Sequence, residues 1–202
     1  MRLYGITGGT GSGKSEAAKR FAERGIPVID ADLVGHEVIA PGGAAAEPVA
    51  RVFGEAVLTG GQIDRVKLSA VVFRDAASLQ KLNTIVHPLI FGEIGARCAR
   101  LHEAGHHAVL VDAALLGENG AREQWLAGLI LVLASRDART RRLAASRGIA
   151  EEEIARRMAA QTPPEHKIPI ADWVIENNGS IEELYARVDE IAEVIHGQTL
   201  GS

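Results

Sequence analysis

GGTGSGKSE, residues 8–16, follows the apolar run Leu3-Tyr4-Gly5-Ile6-Thr7 and decides how the rest of the chain is read. Gly8, four further residues and then Gly13-Lys14-Ser15 complete a phosphate-loop pattern. Glycines in such a loop reach positive φ and let the backbone approach closely, so that successive N–H groups turn inward on phosphate oxygens. Gly9, Thr10, Gly11, Ser12, Gly13, Lys14, Ser15 and Glu16 are therefore the expected nucleotide-binding residues. Lys14 supplies a mobile positive charge, and the Ser15 hydroxyl is a ligand for Mg²⁺.

Context supports the motif, because a strand-like run precedes it and the helix-prone stretch Glu16-Ala17-Ala18-Lys19-Arg20-Phe21-Ala22 continues it. That order aims the positive end of a helix at the phosphates. Glu16 puts a carboxylate where many phosphate loops carry a second hydroxyl. It is read as a structural residue whose backbone N–H serves the loop and whose side chain turns outward, to solvent or to a cation.

Outward from the loop, short β-rich runs alternate with helical patterns, the signature of an α/β fold with a parallel sheet covered by helices. Five strands are expected, at residues 3–7, 26–30, 108–112, 129–134 and 173–176. The stretch between the second and the third is too long for a crossover loop and reads as a helical excursion. Pro41-Gly42-Gly43 and Thr59-Gly60-Gly61 break it, and Pro88 is expected in the first turn of a helix running to about residue 104. Ile90, Ile94, Cys98 and Leu101 share one face of that helix, and Ile181, Leu184, Val188, Ile191 and Ile195 share one face of the closing helix. Both stripes are read as core.

At 202 residues the chain fits one domain with an excursion, and 47% hydrophobic with 24% charged residues is ordinary for a soluble protein. A formal net charge of −4 argues against a general nucleic-acid or membrane-surface binder, so any phosphate site must be locally basic. The single cysteine, Cys98, excludes an intramolecular disulfide and reads as buried filler. No signal peptide is visible, the longest apolar run is too short to span a bilayer, and a cytoplasmic protein is expected.

Several side chains outside the loop carry candidate chemistry. The second strand ends in Asp30-Ala31-Asp32, and ligands of open parallel sheets sit beyond the carboxyl ends of strands. One of the two acids is expected to cap the following helix, which leaves the other for accepting an alcohol proton during phosphoryl transfer. Asp112 ends the third strand as a direct or water-mediated magnesium partner. Arg136, Arg139, Arg141, Arg142 and Arg147 follow the fourth strand, ahead of Glu151-Glu152-Glu153, and read as a lid that neutralises transferring phosphate. His36, four residues after Asp32 on the same helix face, is either a substrate contact or a solvated residue. No histidine and cysteine set has zinc spacing.

These residues resemble the dephospho-coenzyme A kinase family nearly end to end. The resemblance is carried by Thr7-Gly8-Gly9 with the loop, Ile29-Asp30-Ala31-Asp32, Pro41-Gly42, Leu82-Asn83 leading to His87-Pro88-Leu89-Ile90, Leu115-Leu116 with Glu118, Arg157 to Gln161, Lys167, Ala171-Asp172 and Asn177-Asn178-Gly179. It implies an adenylate-kinase-like, three-layer P-loop fold: a nucleotide core (about 1–32, 106–135 and 170–202), a helical acceptor-binding subdomain (about 33–105) and a lid (about 136–169). It further implies that ATP, with Mg²⁺ held by Ser15 and Asp112, donates its γ-phosphate to the ribose 3′-hydroxyl of dephospho-CoA, the final step of CoA synthesis. Asp32 resembles the family's base, Lys14 and Arg142 would stabilise the transferred charge, and His36 and His87 would join Asp32 in holding the acceptor. A monomer or small homo-oligomer is expected. Glu16, Ala114 and Gly117 depart from the family pattern. The competing readings are another P-loop small-molecule or nucleotide kinase, a GTPase, which lacks an Asn-Lys-x-Asp segment here, and a non-catalytic nucleotide sensor.

Overall fold

A computed structural model of the chain describes residues 1–147, 154, 156, 158 and 162–200. In chain order the elements are β1 (Arg2–Gly8), α1 (Lys14–Glu23), β2 (Val28–Asp30), α2 (Ala31–Ile39), α3 (Ala46–Phe53), β3 (Leu58–Thr59), β4 (Gln62–Ile63), α4 (Arg65–Val72), α5 (Ala76–Glu103), β5 (Ala108–Asp112), β6 (Gly128–Leu133), α6 (Arg136–Arg147), β7 (Trp173–Glu176) and α7 (Ile181–Leu200). A 3₁₀ segment, Pro164–Ile170, precedes β7. The chain divides into two compact units, Met1–Ile29 with Leu101–Ser202, and Asp30–Arg100.

The first unit is built on a five-stranded sheet in the order β2-β5-β1-β6-β7, with β1 parallel to β5 and β6, and β6 parallel to β7. Strand β5 is buried throughout and β1 over its last five residues, as expected of parallel strands covered on both faces. On one face Tyr4 and Ile6 of β1 pack with Ala17, Ala18 and Phe21 of α1 and with Leu184, Val188, Ile191 and Ile195 of α7. On the other, Leu116, Leu126 and Leu129 form a second cluster over Gly5, where any added Cβ would lie 2.8 Å from Leu116 and Leu126.

Strand β2 starts at Val28, two residues later than the sequence pattern predicts. The cause is a helix C-cap: Gly25 takes φ 82°, its N–H bonds the Ala22 carbonyl, and the Ile26 N–H bonds the Phe21 carbonyl. Ile26 is thereby spent on ending α1. In the closing helix, Ser180 and Glu183 form a reciprocal capping box, with Ser180 N–H on Glu183 Oε2 at 3.1 Å and Glu183 N–H on Ser180 Oγ at 3.3 Å. The box fixes Ile181 at the first helical position, one turn ahead of the core-facing stripe, and it stays exposed instead of joining the core.

In the second unit the excursion is not purely helical. Strands β3 and β4 pair as a minimal hairpin across Gly60 (φ 59°) and Gly61 (φ 77°), the two left-handed residues a tight hairpin turn requires. Asp64 then caps α4 by accepting from Val66 N (2.9 Å) and Lys67 N (3.2 Å). Pro88 also departs from expectation: it lies inside the 28-residue helix α5 rather than in a first turn. A missing N–H removes one helical bond, and the burial of Val86 before it with Ile94 and Cys98 after it keeps the helix continuous. Cys98 is buried, as predicted, and burial pushes its thiol pKa up. Among the described residues no helix is long and apolar enough to cross a membrane.

Candidate active site

The loop after β1 is held open by its own backbone. Gly11 and Gly13 take φ 79° and 92°, the Ser12 N–H returns to the Gly9 carbonyl at 3.0 Å, and α1 starts on Gly13 with no side chain capping its first turn. Uncapped first-turn N–H groups at the positive end of a helix form an anion site. Gly13 is required twice over, since a Cβ there would also strike Asn177 Nδ2 at 2.1 Å. Ser12 Oγ is buried and makes no hydrogen bond among the described residues.

Two lysines stand at the carboxyl ends of the central strands. Lys14 Nζ is ion-paired with Asp112 Oδ1, with side chains 16% and 9% exposed. Lys167, predicted only as part of the family pattern, is buried: its ammonium bonds Glu118 Oε1 at 2.7 Å, the Ala114 carbonyl at 2.9 Å and Thr7 Oγ1 at 3.3 Å. Burial would raise the Glu118 carboxyl pKa, but hydrogen bonds from Lys167 and Thr162 and the Lys167 charge outweigh it and hold the group below its ordinary value. Gly8, Gly9, Leu115, Glu118, Thr162 and Lys167 line a cleft of about 170 Å³ beside the loop. Two departures from the family pattern fall here. Ala114 gives its carbonyl to Lys167 and Thr7, and Gly117 takes φ 72° where a Cβ would meet Ile170 Cδ1 at 2.6 Å.

Helix α6 brings Arg139 and Arg142 onto the loop, while Arg136 and Arg141 are exposed. Arg142 Nη1 bonds the Asn177 carbonyl at 2.9 Å and Nη2 bonds Asn177 Oδ1 at 3.1 Å, while Asn177 Nδ2 donates to the Ser12 carbonyl at 2.8 Å. Arg139 lies closer still: it is buried, its Nε donates to the Thr10 carbonyl at 2.8 Å, and its Nη2 would be 2.8 Å from a Cβ on Gly9. Burial depresses its pKa, with the Glu165 charge opposing. The cluster was legible, but Arg139 as its most intimate member was not. The signal lay in the i, i+4 pair Arg139 and Leu143, since Leu143 Cγ would be 3.0 Å from a Cβ on Gly11. Glu151 to Glu153, Arg157 and the stretch 159–161 lie outside the described residues.

The second unit carries the remaining predicted residues. Asp30 is the cap expected of one acid in the pair, accepting from Leu33 N at 2.8 Å. Asp32 is exposed in the first turn of α2. His36 is exposed one turn later and accepts at Nε2 from Arg65 Nη2 at 2.7 Å, which is a donor-only group. His87 is exposed on α5 and meets Phe91 edge-on at 6.4 Å between ring centroids.

Other motif residues turn out to be scaffold. Asp172 receives Leu129 N (2.8 Å) and Arg122 Nη1 (2.6 Å) at the start of β6, and Asn178 Oδ1 receives Ser135 N (2.7 Å) where β6 turns into α6. Among the described residues no group of three or more histidine, cysteine or carboxylate side chains is placed to hold a metal. A phosphate-bound magnesium needs less, because phosphate oxygens and water fill most of its shell.

Comparison with known proteins agrees with this geometry. The sequence matches the family model described as "Dephospho-CoA kinase" over residues 2–183. A protein of that name from Thermobifida fusca is 40% identical over 196 residues, covering 96% of each chain. Among solved structures, TT1252 from Thermus thermophilus superposes with a TM-score of 0.81 at 38% identity, over 95% of this chain and 97% of that one. A dephospho-CoA kinase from Campylobacter jejuni shares the fold at TM-score 0.69 and 23% identity, over 100% and 99%. With a phosphate loop at the end of the central strand and a match across nine-tenths of its length, the chain belongs to the dephospho-CoA kinase family.

Proposed function

We propose that this chain transfers the γ-phosphoryl group of ATP to the ribose 3′-hydroxyl of dephospho-CoA, giving CoA and ADP, as a cytoplasmic enzyme of CoA synthesis. The observation that carries the reading is the near-full-length family match on a chain whose phosphate loop, Lys14 and α6 arginines converge beyond β1.

In the proposed reaction the acceptor oxygen bonds to the γ-phosphorus as the bond to the β-bridging oxygen breaks. Asp32 takes the hydroxyl proton, for which an exposed carboxylate just beyond a strand end is suited. Backbone N–H groups between Gly9 and Glu16 that the loop does not itself use cradle the phosphates, and Lys14 and Arg142 balance charge that grows on the transferring group. The acceptor-binding subdomain, about 33–105, lies mostly in the unit Asp30–Arg100 and has His36 and His87 as contacts, and the segment of about 136–169 acts as the lid. The exposed Ser15 hydroxyl and the Asp112 carboxylate are hard oxygen donors that fit Mg²⁺. Held there, the ion would supply positive charge that offsets the charge of the ATP phosphates.

The test is ADP formation by the purified chain with ATP and a panel of acceptors. Dephospho-CoA should stimulate it far above nucleosides, nucleotides and shikimate. Equal rates with and without dephospho-CoA would remove the reading.

A further inference from the structure

Glu16 is the one carboxylate within the phosphate loop, and the structure holds it from an unexpected quarter. The Tyr185 hydroxyl, 169 residues away on α7, donates a hydrogen bond to Glu16 Oε1. The tyrosine is itself fixed. Its ring lies 5.0 Å from the Arg20 guanidinium carbon, and Arg20 Nε and Nη2 grip Asp189 at 2.8 and 2.6 Å, one turn beyond Tyr185 on the same helix. Lys19 Nζ stands 3.9 Å from the same Glu16 oxygen. The clamp thus ties α7 to the first two turns of α1.

A free carboxylate at this position would sit over the helix end that receives nucleotide phosphates and would repel them. We propose that Tyr185 is a positioning residue for nucleotide binding: it draws the Glu16 carboxylate out of the phosphate site toward α7, which lets this loop bind ATP despite an acid in its first helical turn. The role rests on the ATP reading above and adds to it a residue far from the loop in sequence. It also assigns the Arg20–Asp189 pair a task, that of orienting the tyrosine ring by a cation–π contact.

The test is calorimetric ATP binding to wild type, Tyr185→Phe, Glu16→Gln and the double variant, at low and high salt. Phe keeps the ring under Arg20, and thermal unfolding checks that the fold is retained. Tyr185→Phe should weaken ATP binding roughly three- to tenfold, the scale of one partly screened like-charge contact. The deficit should shrink at high salt, and KM for ATP should rise more than kcat falls. In the Glu16→Gln background the same substitution should change affinity less than about twofold. Equal losses in both backgrounds, or no loss in either, overturn the proposal. A wild type that binds no ATP overturns the ATP reading as well, whereas normal wild-type binding with an indifferent Tyr185→Phe overturns this proposal alone.

A second readout needs no change at Tyr185. The hydrogen bond to Glu16 raises the tyrosine hydroxyl above its ordinary pKa, so Glu16→Gln should shift the alkaline absorbance transition of the half-buried Tyr185 to lower pH. An unmoved transition also overturns the proposal.

Discussion

Lys14 and Asp112, the residues expected to serve phosphate and magnesium respectively, are ion-paired with each other across the ends of α1's loop and β5. Both side chains are largely withdrawn from water, so removing Lys14 takes a largely buried ion-pair contact away from Asp112. Lys14→Ala should therefore lower turnover by about two to three orders of magnitude and also destabilise the fold by about 3 kcal/mol. Lys14→Ala with Asp112→Asn should recover much of the melting temperature and none of the activity. An unchanged melting temperature in the single variant would show that the pair does not persist in solution.

The two arginines facing the loop should separate by kinetics. Arg142 bonds Asn177, which in turn holds the Ser12 carbonyl, and in the proposed reaction it balances charge on the transferring group, so Arg142→Ala should depress kcat more than ATP affinity. Arg139 is buried against Thr10 and Gly9 and shapes the loop itself. Arg139→Ala should weaken ATP binding and lower the melting temperature together. The reverse pattern, read from kcat and KM for each variant, would exchange the two roles.

Asp30 and Asp32 should differ in the same way. Asp32→Asn keeps shape and hydrogen bonding but loses the basic oxygen, and turnover should fall by roughly two to four orders of magnitude with both ligands still binding. Asp30→Asn removes little, because asparagine also caps helices well, and Asp30→Ala should cost about 1 kcal/mol of stability with a small kinetic effect. Full activity in Asp32→Asn would move the base elsewhere.

The Glu118–Lys167 pair makes stability depend on pH. The Glu118 carboxyl titrates below its ordinary value in the folded state, so the unfolded chain binds more protons between the two values. Its contribution is complete above the ordinary glutamate range and is lost as pH falls through the lowered folded value. Denaturant titrations should show that Glu118→Gln flattens this acid limb. A limb of unchanged slope would mean that other carboxylates carry it.

Local patterns made the phosphate loop, the parallel strands, a helix cap within the Asp30–Asp32 pair and the apolar stripe of α7 beyond Ile181 legible, because each depends on residues within a turn or two of one another. Pro88 misled because a proline reads locally as a helix start, while the packing of Val86, Ile94 and Cys98 on both sides of it keeps α5 whole. Which arginine of α6 touches the loop depends on the rotation of that helix, which Leu143 against Gly11 helps to set. The Tyr185 bond to Glu16 and the burial of Lys167 join residues more than a hundred positions apart, and no spacing rule reaches across the sheet that brings them together.

The central claim is phosphoryl transfer from ATP to one hydroxyl of dephospho-CoA, and phosphorus NMR of the reaction mixture tests it most directly. The predicted result is ADP and a new phosphomonoester on the ribose 3′-carbon, formed in equal amounts and dependent on the chain. Inorganic phosphate released with ADP while dephospho-CoA remains unchanged, or a phosphate placed on another hydroxyl, would contradict it.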